Sequence, residues 1–161
     1  MLKPVTAKKI PAANGRFAIV ASEYNARYVD AMVNEAHAEL RSAGRVNVIV
    51  LRVPGAFEIP LAAAEVAKRS RPPLSAIICL GVILRGKTAH ADLIGEAVTR
   101  ALMDLQIAQG VPVIHEVLLL KNEKQAKERC LKGEFNRGKE AAQTALAMAA
   151  LLRNLAPAAK G

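Results

Sequence analysis

The spacing of apolar positions changes repeatedly along this chain. Phe17–Ala21, Val46–Leu51, Ala76–Ile83 and Val111–Leu120 are short, nearly continuous apolar runs, and their length and β-branched content predict four strands. Between them the period becomes helical. In Tyr28–Leu40 the residues Val29, Met32, Val33, Ala36 and Leu40 recur at steps of three and four, and Ala43-Gly44 supplies a stop. Ile59–Ala67 continues in the same way, with Pro60 in the tolerated first turn and Arg71-Pro72-Pro73 as breaker. Ala91–Gln109 gathers Ile94, Ala97, Val98, Ala101, Leu102, Leu105 and Ala108 on one face, closed by Gly110 and Pro112. Beyond the fourth strand, Glu123–Leu131 and Gly138–Leu155 read as two further helices.

Strands alternating with helices need right-handed crossovers and a parallel sheet covered on both faces. The predicted fold is a three-layer α/β/α sandwich around a four-stranded, parallel, doubly wound sheet of flavodoxin-like type. Ligands of such sheets sit beyond the carboxyl ends of the strands, near the switch in strand order. Four places are therefore candidates for chemistry: Ser22–Ala26, Val53–Glu58, Ile83–His90 and the end of the fourth strand. The last helix carries a separate message, because Ala141–Leu152 is apolar nearly all round and Leu146, Met148, Leu151 and Leu152 cannot all face one sheet. It predicts contact with a second copy of the chain.

Composition narrows the class. A chain of 161 residues with 52% hydrophobic content supports one domain, expected over residues 16–155, with a loose basic arm at 1–15 and a tail at 156–161. The net charge of +9 suits an anionic ligand, but cations and acids alternate from Lys121 to Glu140, so no single basic stripe or nucleic-acid motif emerges. Specific nucleic-acid binding is not expected. Cys79 and Cys130 have neither a disulfide-framework nor a metal-site spacing, which fits a reducing cytoplasm and no metal. No signal-peptide core and no run of about 20 apolar residues is present, so neither export nor a membrane is expected.

The candidate loops hold scarce residue types. Tyr24 is one of two tyrosines, and Ser22-Glu23-Tyr24-Asn25 reads either as a ligand-facing aromatic or as packing by Tyr24 with a helix cap from Asn25. Val53-Pro54-Gly55-Ala56-Phe57-Glu58 is either a Pro-Gly turn leading into a helix or a loop whose glycine admits a ligand close to the backbone. Arg85-Gly86-Lys87-Thr88-Ala89-His90 leaves a strand and opens a helix, where unpaired N–H groups and the helix dipole attract anions. It lacks the earlier glycine of a Walker A loop. His90, in the first helical turn, has a side chain able to exchange protons near neutral pH.

The segments RFAIVASEYN, VPGAFEIPLAA, LGVILRGKTAHADLI, KQAKERC and NRGKEAA stand in the order and spacing of lumazine synthases. From Arg16 to Leu155 the chain resembles that family. The resemblance implies condensation of a ribitylamino-pyrimidinedione with a dihydroxybutanone phosphate, without metal or organic cofactor. It implies that Tyr24, Asn25, Ala56, Phe57, Glu58, Val82 and Ile83 hold the pyrimidine and its ribityl chain, and that His90 shuttles protons. It assigns the phosphate to Gly86, Lys87 and Thr88, with Arg129 reaching in from a neighbouring subunit of a pentamer or sixty-subunit shell. Two departures stand out: His115-Glu116 where the family usually carries Phe-Gly, and Arg137 where it usually carries Lys. His115 is retained as a flat ring at the pyrimidine pocket, Glu116 is expected to point away, and Arg137 is an additional candidate. The rival reading is a non-catalytic flavin- or nucleotide-binding protein of the same fold.

Overall fold

The computed structural model describes residues 14–157. Its strands are β1 (Gly15–Ser22), β2 (Val46–Val53), β3 (Ala76–Leu84) and β4 (Val113–Leu120). Its helices are α1 (Ala26–Ser42), α2 (Ile59–Arg69), α3 (His90–Gln109), the single turn α4 (Glu123–Ala126) and α5 (Arg137–Leu155). Most of the expected arm, residues 1–13, and residues 158–161 of the expected tail lie outside the described residues.

All four strands run parallel in the order β2-β1-β3-β4. The order reverses between β1 and β3, so the loops after those two strands open a crevice at one end of the sheet. Strand alternation sorts the two cores. Phe17, Ile19 and Ala21 of β1 with Ile78 and Leu80 of β3 face α1 and α5, whereas Ala18, Val20, Ile77 and Cys79 face α2 and α3. The central strands are buried on both faces, which is why they read as continuous apolar runs rather than alternating ones. Gly110 ends α3 in the left-handed conformation at φ 63°, as its place after the last periodic residue predicts. Among the described residues no helix is long and apolar enough to cross a membrane.

One expectation is corrected. Glu123–Leu131 is not one α-helix: Asn122 caps a single turn by accepting from the Gln125 N–H at 3.0 Å, and Lys127–Leu131 then widens into a π-helical turn. The wider turn keeps Ala126 and Cys130 in the core together. α5 also packs beside α1 in the same layer. A Cβ on Gly138 would lie 2.0 Å from the Met32 carbonyl oxygen, so glycine alone allows the two helices to meet there. Leu146 is buried against this pair and Met148 packs on the same core, while Leu151, Leu152 and Leu155 remain exposed.

Candidate functional site

The loop after β1 is built as a platform. Glu23 N–H donates to Val53 O at 2.7 Å and Tyr24 N–H to Pro54 O at 3.1 Å, lashing it to the loop after β2. Arg52 braces both, pairing with Asp30 at 2.7 Å and donating to Ser22 O at 3.0 Å. Asn25 adopts φ 57°, a left-handed conformation that Asn tolerates better than most side chains. Its amide does not cap α1 but donates to Val82 O at 2.7 Å, tying the loop to β3. Tyr24 is left 72% exposed, and it is Tyr28, in the first turn of α1, that packs into the core. The ligand-facing reading of Tyr24 is thus the one its geometry favours.

The loop after β2 turns through a short 3-10 segment, Ala56–Glu58, that presents Phe57 with 61% of its surface open. After β3, Arg85 N–H donates to Leu120 O at 2.9 Å, and the Arg85 guanidinium is occupied by Asp92 through contacts of 3.0 and 2.5 Å. Lys87, by contrast, makes no ion pair among the described residues. Thr88 Oγ1 accepts from the His90 N–H at 3.4 Å, and α3 begins at His90 without a side-chain cap. The Ala91 and Asp92 N–H groups at this end of α3 are left open to an anion.

These three loops enclose a cavity of about 720 Å³, within the range of small-molecule sites. Of the expected residues, Tyr24, Asn25, Ala56, Phe57, Glu58, Val82, Ile83, Gly86, Thr88 and His90 line it. Gly55, whose close approach to a ligand was one reading of its loop, lines it as well, and so do Leu84, Ala91 and Ile94, which were not anticipated. The signal for Ile94 was the helical step from His90, since positions four residues apart share a face of the helix. The lining pairs two exposed aromatic rings with an exposed imidazole and a helix N-terminus. Such a site can stack a flat heterocycle beside a phosphate and a proton-exchanging group.

Lys87, His115, Arg129 and Arg137 do not line this cavity. For β4 the sheet register explains why. His115 pairs with Cys79 and so faces α3, where its Nε2 lies 2.7 Å from Thr99 Oγ1 and its Nδ1 accepts from Val117 N–H at 3.1 Å. Thr99 Oγ1 in turn donates to Gly95 O at 2.7 Å. The ring is held neutral with its proton on Nε2, and burial lowers its pKa below 6.5.

Glu116 pairs with Leu80 and so faces α5. As expected it points away from the cavity and is buried, and Arg137 grips it in bidentate fashion at 2.7 and 2.9 Å while also holding Glu140 at 2.5 Å. Burial raises the Glu116 carboxyl above its ordinary value against the pull of Arg137. Burial works against the charge on Arg137 too, but the two carboxylates more than offset it and leave its pKa raised. Arg129 sits half-buried on the π-helical turn beside Cys130. Among the described residues no group of His, Cys, Asp or Glu is arranged to hold a metal ion.

The family profile of 6,7-dimethyl-8-ribityllumazine synthase matches residues 14–153. The chain belongs to this family. A 6,7-dimethyl-8-ribityllumazine synthase of Kineococcus radiotolerans is 38% identical over 91% of this chain and 90% of its own length. One of Stenotrophomonas maltophilia is 39% identical over 88% and 92% of the two chains, and one of Xanthomonas campestris is 38% identical over 96% and 95%. The lumazine synthase match runs through all three loops of the cavity and on through β4 and α5, where His115, Arg129 and Arg137 reside.

Proposed function

We propose that this chain condenses 5-amino-6-(D-ribitylamino)uracil with 3,4-dihydroxy-2-butanone 4-phosphate, giving 6,7-dimethyl-8-ribityllumazine, phosphate and water, as a step of riboflavin biosynthesis in the cytoplasm. Membership of the family supports the reaction. The observation that carries it to named residues is the cavity in which exposed Tyr24 and Phe57 meet Thr88, His90 and the open N-terminus of α3. Tyr24 and Phe57 stack the pyrimidinedione, while Asn25, Ala56, Glu58, Val82 and Ile83 hold its edge and ribityl chain. Gly86, Lys87, Thr88 and the first-turn N–H groups of α3 receive the phosphate. His90 moves protons as the 5-amino group condenses with the ketone and loses water, phosphate is eliminated, and the ribitylamino nitrogen closes the ring onto the remaining carbonyl with loss of a second water. The substrates contribute the nucleophilic amine, the ketone and the leaving group, so positioning supplies much of the rate.

The catalytic unit is the domain over residues 16–155, and it works as a homo-oligomer. A cavity lined only by its own loops lacks the guanidinium of Arg129, and a neighbouring copy supplies it, with His115 from its β4 edge and Arg137 from the start of its α5. Exposed Leu61, Leu93, Met103, Ile107, Leu151 and Leu152 give apolar surface for such an assembly, a pentamer or a shell of sixty chains by resemblance to the family. The test is incubation of the purified protein with both substrates, following lumazine absorbance and released phosphate together. Formation of both in equal amount is expected. A folded protein that binds flavin and turns over neither substrate would overturn the reading in favour of a carrier.

A further inference from the structure

The opposite end of the sheet holds a second cavity, of about 690 Å³, where β1 and β2 begin and α1 ends. Its polar lining is Asn14, Arg16, Arg41, Arg45 and Asn47, three guanidinium-bearing side chains and two amides with no carboxylate. With β1 spanning eight residues at about 3.3 Å each, this end lies well over 20 Å from the loops of the catalytic cavity.

Like charges gathered in one recess repel, and proteins ordinarily interleave acids among them. Here no acid lines the recess, and the acids nearest in sequence on α1 and α2 have other partners. Glu39 accepts from Gln143 at 3.1 Å, and Glu65 is held by Arg69 and Lys68. The chain before β1 cannot neutralise the recess either, because residues 1–13 contain no acid and the first in the sequence is Glu23. Arg41 has a structural role at the carbonyl end of α1, which accounts for one of the three cations. Arg45 has no such account, and none of the three forms an ion pair among the described residues.

Arg16 is also the best anchored of the set. Its Nη1 donates to Pro72 O at 2.8 Å and its backbone is tied to Ser75 in both directions. Its buried Nε has no partner among the described residues. The sheet register sets Arg16 beside Asn47, so a fixed cation and an amide meet two adjustable ones, Arg41 and Arg45, across the groove.

We propose that this groove binds a diphosphate-bearing anion at a site separate from the catalytic cavity. Three guanidinium groups match a ligand of two or more charges better than a single phosphate, because Arg41 and Arg45 can each donate a charge-assisted pair of hydrogen bonds to a different phosphoryl oxygen edge while Arg16, held at Pro72, adds a fixed positive charge. The ligand is either inorganic pyrophosphate or the diphosphate of a nucleotide, and the shared diphosphate is what the groove recognises.

The assembled protein is titrated calorimetrically with pyrophosphate and with ADP at two salt concentrations. The comparison is made for the natural chain, the Arg41→Ala/Arg45→Ala variant and the Lys87→Ala variant. Arg41 and Arg45 are exposed and make no hydrogen bond to the core, so the double variant keeps the fold, checked by an unchanged Tm. Pyrophosphate affinity is expected to fall at least tenfold in Arg41→Ala/Arg45→Ala, to persist in Lys87→Ala, and to weaken with salt. ADP binding as tightly as pyrophosphate assigns recognition to the diphosphate, and tighter ADP binding adds the nucleoside. Equal pyrophosphate binding by the natural chain and the double arginine variant would overturn the proposal, as would loss in Lys87→Ala alone or ADP binding without pyrophosphate binding.

Discussion

Removing the Glu116 carboxylate tests how β4 is joined to α5. Glu116 has 8% of its side chain exposed and Arg137 21%, and two of the three hydrogen bonds that Arg137 makes end on Glu116. Glu116→Ala strands a guanidinium in a mostly apolar setting. Breaking a buried pair from one side costs about 3–5 kcal/mol. Arg137 keeps Glu140 and some water, so the lower end, about 3 kcal/mol, is expected. Glu116→Gln keeps the shape and one acceptor, and a loss of about 1–2 kcal/mol follows from one weakened charge-assisted contact.

Glu116→Leu combined with Arg137→Met removes both charges from the same space and is expected to return to within about 1 kcal/mol of the natural chain. The raised pKa of Glu116 points the same way, since burial disfavours its charge more than Arg137 favours it. Because the folded value is raised, the folded state binds the proton more tightly than the unfolded chain. Stability therefore falls as pH rises from the ordinary value of 4.5 through the raised one, a slope the double variant lacks. Denaturant unfolding at a fixed chain concentration, arranged as a double-mutant cycle, measures the coupling. A loss below about 0.5 kcal/mol for Glu116→Ala, or no coupling with Arg137, would refute the reasoning.

Four further outcomes follow from the same coordinates. His90→Ala is expected to lower turnover by about a hundred- to ten-thousandfold with little change in phosphate affinity, and an undiminished turnover number in the folded variant removes His90 from the mechanism. Arg129→Ala is expected to raise the KM for the butanone phosphate more than that for the pyrimidine, and mixed assemblies with His90→Ala chains should recover activity; no recovery in demonstrated mixtures counts against a shared site. Gly86 has no protein atom within 4 Å of where a Cβ would stand, so Gly86→Ala should leave Tm unchanged and weaken phosphate binding, and a fall in Tm would contradict that openness. His115 is held neutral with a lowered pKa, so stability should fall as pH drops below 6.5 toward the lowered value, and His115→Gln should flatten that limb; an unaltered pH profile in the variant shows that the ring titrates freely.

Sequence by itself determined the element order, the parallel sheet and the three loops of the cavity. Each of these rests on local period, on glycine and proline stops or on the connection rules of parallel strands, all of which act within short stretches of chain. Ten of the expected ligand residues line the cavity because they sit at strand carboxyl ends, and that position follows from the strand boundaries alone. Tertiary structure decided what period cannot encode. Whether Asn25 caps α1 or reaches Val82 depends on how close β3 comes, and that choice sends Tyr24 outward and Tyr28 inward. Arg85 reads like Lys87 in the sequence, yet Asp92 on the next helix turn occupies the one and leaves the other. The register of β4 on β3 divided His115 from Glu116, sending one to α3 and the other to Arg137 on α5. A shift of one residue would exchange their faces, and register is fixed only when the whole sheet packs.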